Sequence, residues 1–368
     1  MTTLNRRYDI DWLRVIAIGL LLIYHVAIGF QPWGLMIGFI TNSDPWTSLW
    51  LPMSMLNVWR IPFLFFVSGM GVYFAMRKRS MPALIGERSL RILVPFLFGA
   101  ACIFPVSSFI LNWHYGWDYQ YVAHPGHLWF LGNIFIYVLA LSPLFYYLKR
   151  NENGRIVMAM RRMLRTPLGL IPFLALFVLE AFVMKPFPYE LYAMTWHGFV
   201  LGFLAFLSGY CLVIGGDPFW QMLLRWRWLF IVIAIGLFTV RLTLFGVNTP
   251  AYLLAIESQA WILTVFAFGH KYLNRNARAL SYLSEAAYPV YILHMIFLAL
   301  GSSLIFPLQI NVAVKFFAVL FFTLGGCFAA YEVIRRIFFL RPLFGLRVGG
   351  MKAERSLNHS VQPESSQQ

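Results

Sequence analysis

Apolar positions run along this chain in long blocks, each about as long as a bilayer is thick and each closed by a short polar or basic stretch. A spanning helix needs about 20 apolar residues at about 1.5 Å of rise apiece. Blocks of that kind fall at 12–30, 58–76, 91–111, 128–148, 168–184, 195–214, 227–245, 251–269, 286–305 and 312–334. The pattern predicts an all-α, polytopic integral membrane protein with ten transmembrane helices. The stretch 33–57 carries Trp46 and Trp50, with Trp59 just beyond it, and reads either as an interfacial helix or as an outer extension of the second span. The first block has the length and polar interruptions of a span and no small-residue cleavage site after it, so no cleaved signal peptide is expected. No strong internal repeat accompanies the blocks.

Composition agrees with lipid as the solvent. Of 368 residues, 60% are hydrophobic and only 12% charged, where soluble domains carry roughly a quarter charged residues. The net charge of +15 raises the question of nucleic acid, but the basic residues sit in short clusters between the spans. Those clusters are Arg6–Arg7, Arg77–Arg91, Lys149–Arg165, Arg225–Arg227, Lys271–Arg278 and Arg335–Arg355, and they hold 24 of the 29 Lys and Arg. With ten spans they all fall on one side, as cytoplasmic loops do. Both termini are therefore expected in the cytosol, and no nucleic-acid partner is expected. Residues 1–345 form the expected transmembrane domain. Residues 346–368, whose polar run begins near Lys352, read as a disordered cytosolic tail. Cys102, Cys211 and Cys327 lie in apolar segments without metal-type spacing and read as buried small residues.

Ionisable groups inside a span cost ~2.5–3.5 kcal/mol each, so Arg14, His25, Glu180, Arg241, Glu257 and His294 need reasons. Arg14 and His25 share the first helix, eleven residues apart, which is close to three turns and about 16 Å. Both side chains project from nearly one face, so one extended ligand could meet both; alternatively Arg14 snorkels to headgroups and His25 bonds a neighbouring helix. Glu87-Arg88-Ser89-Leu90-Arg91 opens the third helix and places two guanidinium groups near each other. With Arg14 these could clamp a phosphate, although arginines at such a helix end are also the ordinary topology signal. Glu180, Arg241 and Glu257 read as intramembrane ion pairs. The loop 112–127 holds His114, Asp118, His124 and His127, followed by Trp129; these are groups suited to a sugar-binding rim or to an interfacial aromatic belt. His124 and His127 have no third ligand beside them, so no metal site is expected.

Several of these segments occur together in one known family. The chain resembles the membrane-bound acyltransferase 3 family over nearly its whole length, through Arg14 and His25 within "DIDWLRVIAIGLLLIYH", "FLFFVSGM" (63–70), "RSLR" (88–91), "HLWFL" (127–131) and "YPVYILH" ending at His294. "GHLWFL" and "FGHKYLN" (269–274) are similar to the branch implicated in succinylating periplasmic glucans. Many members carry Trp-Ser-Leu followed by glutamates where this chain reads Trp129-Phe130-Leu131-Gly132-Asn133, so any role of those glutamates does not carry over.

The resemblance implies transfer of an acetyl or succinyl group from cytosolic acyl-CoA to a hydroxyl of an envelope or periplasmic carbohydrate, in a multi-pass protein of the bacterial inner membrane. Acyl-CoA would be a co-substrate, with no permanently bound cofactor. His25 would be the essential histidine, as general base or acyl carrier, with His294 orienting it or the acceptor. Arg14, Arg88 and Arg91 would hold the donor phosphates, and His127 and Trp129 would meet the carbohydrate. A ten-helix bundle with ionisable groups near its middle also suits a secondary transporter or a flippase of lipid-linked sugars, and a scaffolding subunit would need neither Arg14 nor His25.

Overall fold

The computed structural model describes residues 7–77 and 79–347. Residues 348–368, which include most of the expected tail, lie outside them. Among the described residues there is no strand, and ten helices are long and apolar enough to span a bilayer. They are α1 (Tyr8–Ile28), α2 (Thr47–Met76), α3 (Met81–Tyr115), α4 (Gly126–Arg150), α5 (Pro167–Met184), α6 (Trp196–Ile214), α7 (Asp217–Asn248), α8 (Ala251–Leu273), α9 (Arg278–Ile305) and α10 (Val312–Ile334). A short surface helix, Arg155–Met163, joins α4 to α5.

Each expected block coincides with one of these helices, although 12–30 overruns α1, which ends at Ile28, and 195–214 starts one residue before α6; several helices extend past their blocks. Helix α3 begins at Met81, so Arg88 and Arg91 sit inside it rather than at its first turn. The ambiguous stretch resolves as an outer extension: a single 3-10 turn, Thr47–Leu49, runs into the helix proper at Trp50. Ahead of it, 29–46 folds back over the bundle through Asn42 N–H to the Gly29 carbonyl (2.8 Å) and Trp46 N–H to the Phe30 carbonyl (2.9 Å). Lys315 of α10 holds that loop, bonding Asn42 Oδ1 at 3.1 Å and the Phe306 carbonyl at 2.7 Å.

Helix α1 packs against α2, α8, α9 and α10, and so occupies the middle of the bundle. Helices α2 and α6 make the most extensive contact, and glycine permits it. A Cβ on Gly69 would stand 2.0 Å from the Phe206 carbonyl oxygen, and one on Gly209 would stand 2.1 Å from that of Phe66. The two backbones touch where small residues face each other, the usual way for helices to associate in lipid. The core is otherwise aromatic, with Tyr210 stacked on Phe145 at 3.7 Å and Phe65 held between Phe130 and Tyr137.

Prolines inside the helices free carbonyls that tertiary contacts then use. Pro62 cannot donate to the Val58 carbonyl four residues back, and Tyr192 donates its hydroxyl there instead at 3.0 Å. Helix α3 has two π turns, Ser89–Leu93 and Gly99–Ile103, each followed within two residues by a proline, Pro95 and Pro105. The Ala101 carbonyl released by Pro105 accepts from Tyr121 at 2.9 Å, which docks the α3–α4 loop.

Candidate functional site

His25 lies in the last two turns of α1 and is partly buried. Ile16 and Ile23, on the opposite face of the helix, are about 40% exposed, so the face shared by Arg14 and His25 turns into the bundle. There His25 meets a fully buried histidine of α9: its Nδ1 lies 2.8 Å from His294 Nε2, with the rings stacked at 5.1 Å.

Hydrogen-bond logic sets the tautomers of this pair. His294 Nδ1 lies 2.5 Å from the carbonyl oxygen of Tyr291, which can only accept, so Nδ1 carries the proton. In neutral His294, Nε2 is therefore a lone pair and must accept the N–H of His25 Nδ1. What remains on His25 is an unprotonated Nε2, the atom with which an imidazole takes a proton from a hydroxyl. The backbone of α9 thus orients His294, and His294 orients His25.

His127 completes the cluster from the start of α4. Its ring stands edge-on to His294 at 4.8 Å, and its Nε2 donates to the Ile292 carbonyl at 3.1 Å. The Tyr291 hydroxyl donates to the His127 carbonyl, so α9 fixes both ring and backbone of this residue. Above His25, Phe39 of the folded-back loop approaches at 5.5 Å. Among the described residues, no group of three or more His, Cys, Asp or Glu side chains is placed to hold a metal ion.

The other polar groups of the 112–127 loop do not join His127 in a single rim. His114 Nδ1 pairs with the Ser303 hydroxyl at 3.0 Å, while His124 stacks near Phe104 and accepts the Gly126 N–H at 3.0 Å. Trp129 packs edge-on against Phe65. These bonds pin the loop to α3 and α9, a use of histidine that composition alone does not reveal.

At the end of the bundle where α1 begins, the three expected arginines converge. Arg14, Arg88 and Arg91 lie within electrostatic reach of one another. Arg91 is tied down by Glu87 Oε1 at 3.3 Å and by the Gly345 carbonyl at 3.2 Å, and Arg79 shares the same carboxylate at 3.2 Å. Arg14 lies 3.8 Å from Asp11, and its side chain stays 38% exposed. Arg88 keeps a buried Nε without a hydrogen-bond partner, as do the Tyr288 hydroxyl and, one turn earlier on α9, the Ser284 hydroxyl. Arg14, Arg79, Arg88 and Arg91 gather here beside Asp11 and Glu87, and this excess of positive charge suits an anion. Tyr288 was legible only as part of "YPVYILH".

Two cavities open at the same end. One of about 600 Å³ lies between the α2–α3 turn and α4, with Arg79, Lys149 and Arg150 in its wall; a second, of about 400 Å³, lies by the short surface helix. Neither is lined by Arg14 or by the three histidines.

The intramembrane ion pairs are partly as expected. Arg241 and Glu257 form a bidentate pair, both bonds 2.8 Å. Glu180 pairs instead with His197, at 2.7 Å, and the far nitrogen of that imidazole meets the Tyr189 carbonyl at 2.9 Å.

A family model described as an acyltransferase domain, of the acyltransferase 3 type, matches residues 7–332. No curated protein and no solved structure matches the chain.

Proposed function

Since the chain belongs to the acyltransferase 3 family and is a multi-pass membrane acyltransferase, we propose that it carries an acyl group from acyl-CoA on the cytosolic side to a hydroxyl of an envelope or periplasmic carbohydrate, with His25 as general base. Placing α1's first turn in the cytosol follows from the basic clusters. The phosphates of the donor then bind Arg14, Arg88 and Arg91, and the pantetheine arm follows the inward face of α1 toward His25. The glucan-modifying branch supplies the acceptor class, and acetyl or succinyl is the group transferred.

The observation that carries this reading is the His25–His294 pair with its lone pair on His25 Nε2. The acceptor hydroxyl gives its proton to Nε2 as its oxygen bonds to the thioester carbon, and the thiolate later recovers that proton as the C–S bond breaks. His294 is a positioning residue: it holds the imidazole in the required tautomer and receives the N–H of the charged ring. His127 and Trp129 flank the carbohydrate side. In this reading acyl transfer needs no metal and no bound cofactor.

Mass analysis of envelope carbohydrate from cells carrying the wild type or His25→Ala tests the proposal. The wild type should add an acyl mass that the variant lacks, at equal protein level in the membrane. The same acyl mass in both would end the assignment of His25.

A further inference from the structure

Arg60 stands in the middle of α2, 3% exposed, with its guanidinium carbon 3.8 Å above the centre of the Tyr24 ring. Its Nε and one terminal nitrogen are buried and have no hydrogen-bond partner. Among the described residues no carboxylate lies within ion-pair distance of it: Glu257 is taken by Arg241 and Glu180 by His197. A buried charge normally costs several kcal/mol unless it is paired, and a desolvated cation–π contact returns about 2 kcal/mol. The remaining cost has no structural return in the resting protein.

Arg60 is also placed at the reaction centre. Tyr24, on which it lies, precedes His25 in the chain, and the Tyr24 and His25 rings meet edge to face at 6.3 Å. Tyr24 thus bridges the Arg60 guanidinium on one side and the His25 ring on the other. Pro62, two residues on, leaves α2 without its regular bond at Val58, so the backbone beside Arg60 is held by Tyr192 rather than by the helix alone.

Resting on the acyl-transfer reading above, we propose that Arg60 is the electrostatic partner of the oxyanion, donating its unpaired N–H groups to the thioester carbonyl oxygen as negative charge develops there. When the acceptor oxygen bonds to the carbonyl carbon, its proton passes to His25 and the C=O electron pair moves onto oxygen beside Arg60. Collapse restores C=O and breaks C–S, and the thiolate leaves with the proton from His25. The resting protein holds an unpaired cation because the anion it fits exists only during turnover. Such preorganised donors in a dry site typically contribute about 10²–10³ in rate.

The test measures kcat and KM for release of CoA thiol from acetyl-CoA and from succinyl-CoA, using purified protein in lipid nanodiscs with envelope carbohydrate present. Arg60→Gln should lower kcat about 10²–10³-fold for both donors while KM changes little, because a charge present only in the transition state does not enter ground-state binding. Arg60→Lys should recover part of the loss. CoA affinity and thermal unfolding of both variants should stay near wild type, which separates this role from a structural one. A loss confined to the KM of succinyl-CoA would assign Arg60 to a carboxylate on the acyl group and overturn the proposal, as would an unchanged kcat. Absence of thiol release by the wild type would instead refute the acyl-transfer reading itself, and Arg60's role with it.

Discussion

Glu257 and Arg241 show what a single residue must do to sit inside this bundle. Both are at least 90% buried, and Arg241 adds a bond from its terminal nitrogen to the Ser54 carbonyl at 3.1 Å, tying α7 and α8 to α2. Removing one partner leaves the other charge buried without compensation, which costs about 3–5 kcal/mol. Glu257→Ala should therefore lower the thermal unfolding midpoint in detergent sharply, and replacing both residues by Leu or Met should restore most of it. A single variant as stable as the wild type would mean that the pair contributes nothing. At this scale the sequence was legible where spacing alone decides: eleven residues place Arg14 and His25 on one helix face, and the structure turns that face inward. It was not legible where a partner is distant in the chain. His294 reaches His25 across 269 positions, and Glu180 takes His197, a residue that no periodicity connects to it. Arg60 is the third residue of the 58–76 block, and its lack of a carboxylate partner among the described residues is a property of the packed bundle rather than of the sequence.

At the scale of elements, helix existence follows from the apolar blocks, while helix ends and interruptions follow from local chemistry. The extra turns of α3 before Glu87, Met81 to Gly86, are apolar but are cut off from the hydropathy block by Glu87, Arg88 and Arg91, and Pro82 near the helix start with extended backbone at Ser80 makes them a regular N-terminus. The π turns have no signal in the hydropathy pattern, although Pro95 and Pro105 follow them within two residues. Their consequence is geometric, because the first π turn begins just after Arg88 and contains Arg91, and still leaves both beside Arg14. If the three clamp the donor, Arg88→Gln with Arg91→Gln should weaken acyl-CoA binding by at least ten-fold, about 1.4 kcal/mol, with little effect on carbohydrate binding. Unchanged donor affinity by calorimetry would show that the arginines serve membrane orientation alone.

For the whole molecule, the ten-helix count and the one-sided basic clusters are two independent regularities. The count is an observed property of the described residues, and the orientation is an expectation drawn from the clusters through the positive-inside rule. That rule makes a prediction of its own: a reporter fused ahead of α1 should be active only in the cytosol, and one placed in the loop between α5 and α6 only outside. The opposite result would invert the proposed route of the donor. The bundle also has a functional gradient along α1. Its first half lies among cations and free donors suited to phosphate, and its last two turns lie among imidazoles under the folded-back loop that carries Phe39. On the proposed reading, an acyl-CoA reaching from one to the other would cross much of the membrane and so bring a cytosolic donor to an acceptor on the far side.

The most direct test is single-turnover transfer of a radiolabelled acetyl group from acetyl-CoA to envelope carbohydrate by nanodisc-embedded protein, comparing wild type, His25→Ala and His294→Ala. Loss of transfer in His25→Ala, with His294→Ala slowed about 10²-fold or more at unchanged donor affinity, is the predicted result. Transfer at the wild-type rate by either variant would contradict a histidine pair at the reaction centre.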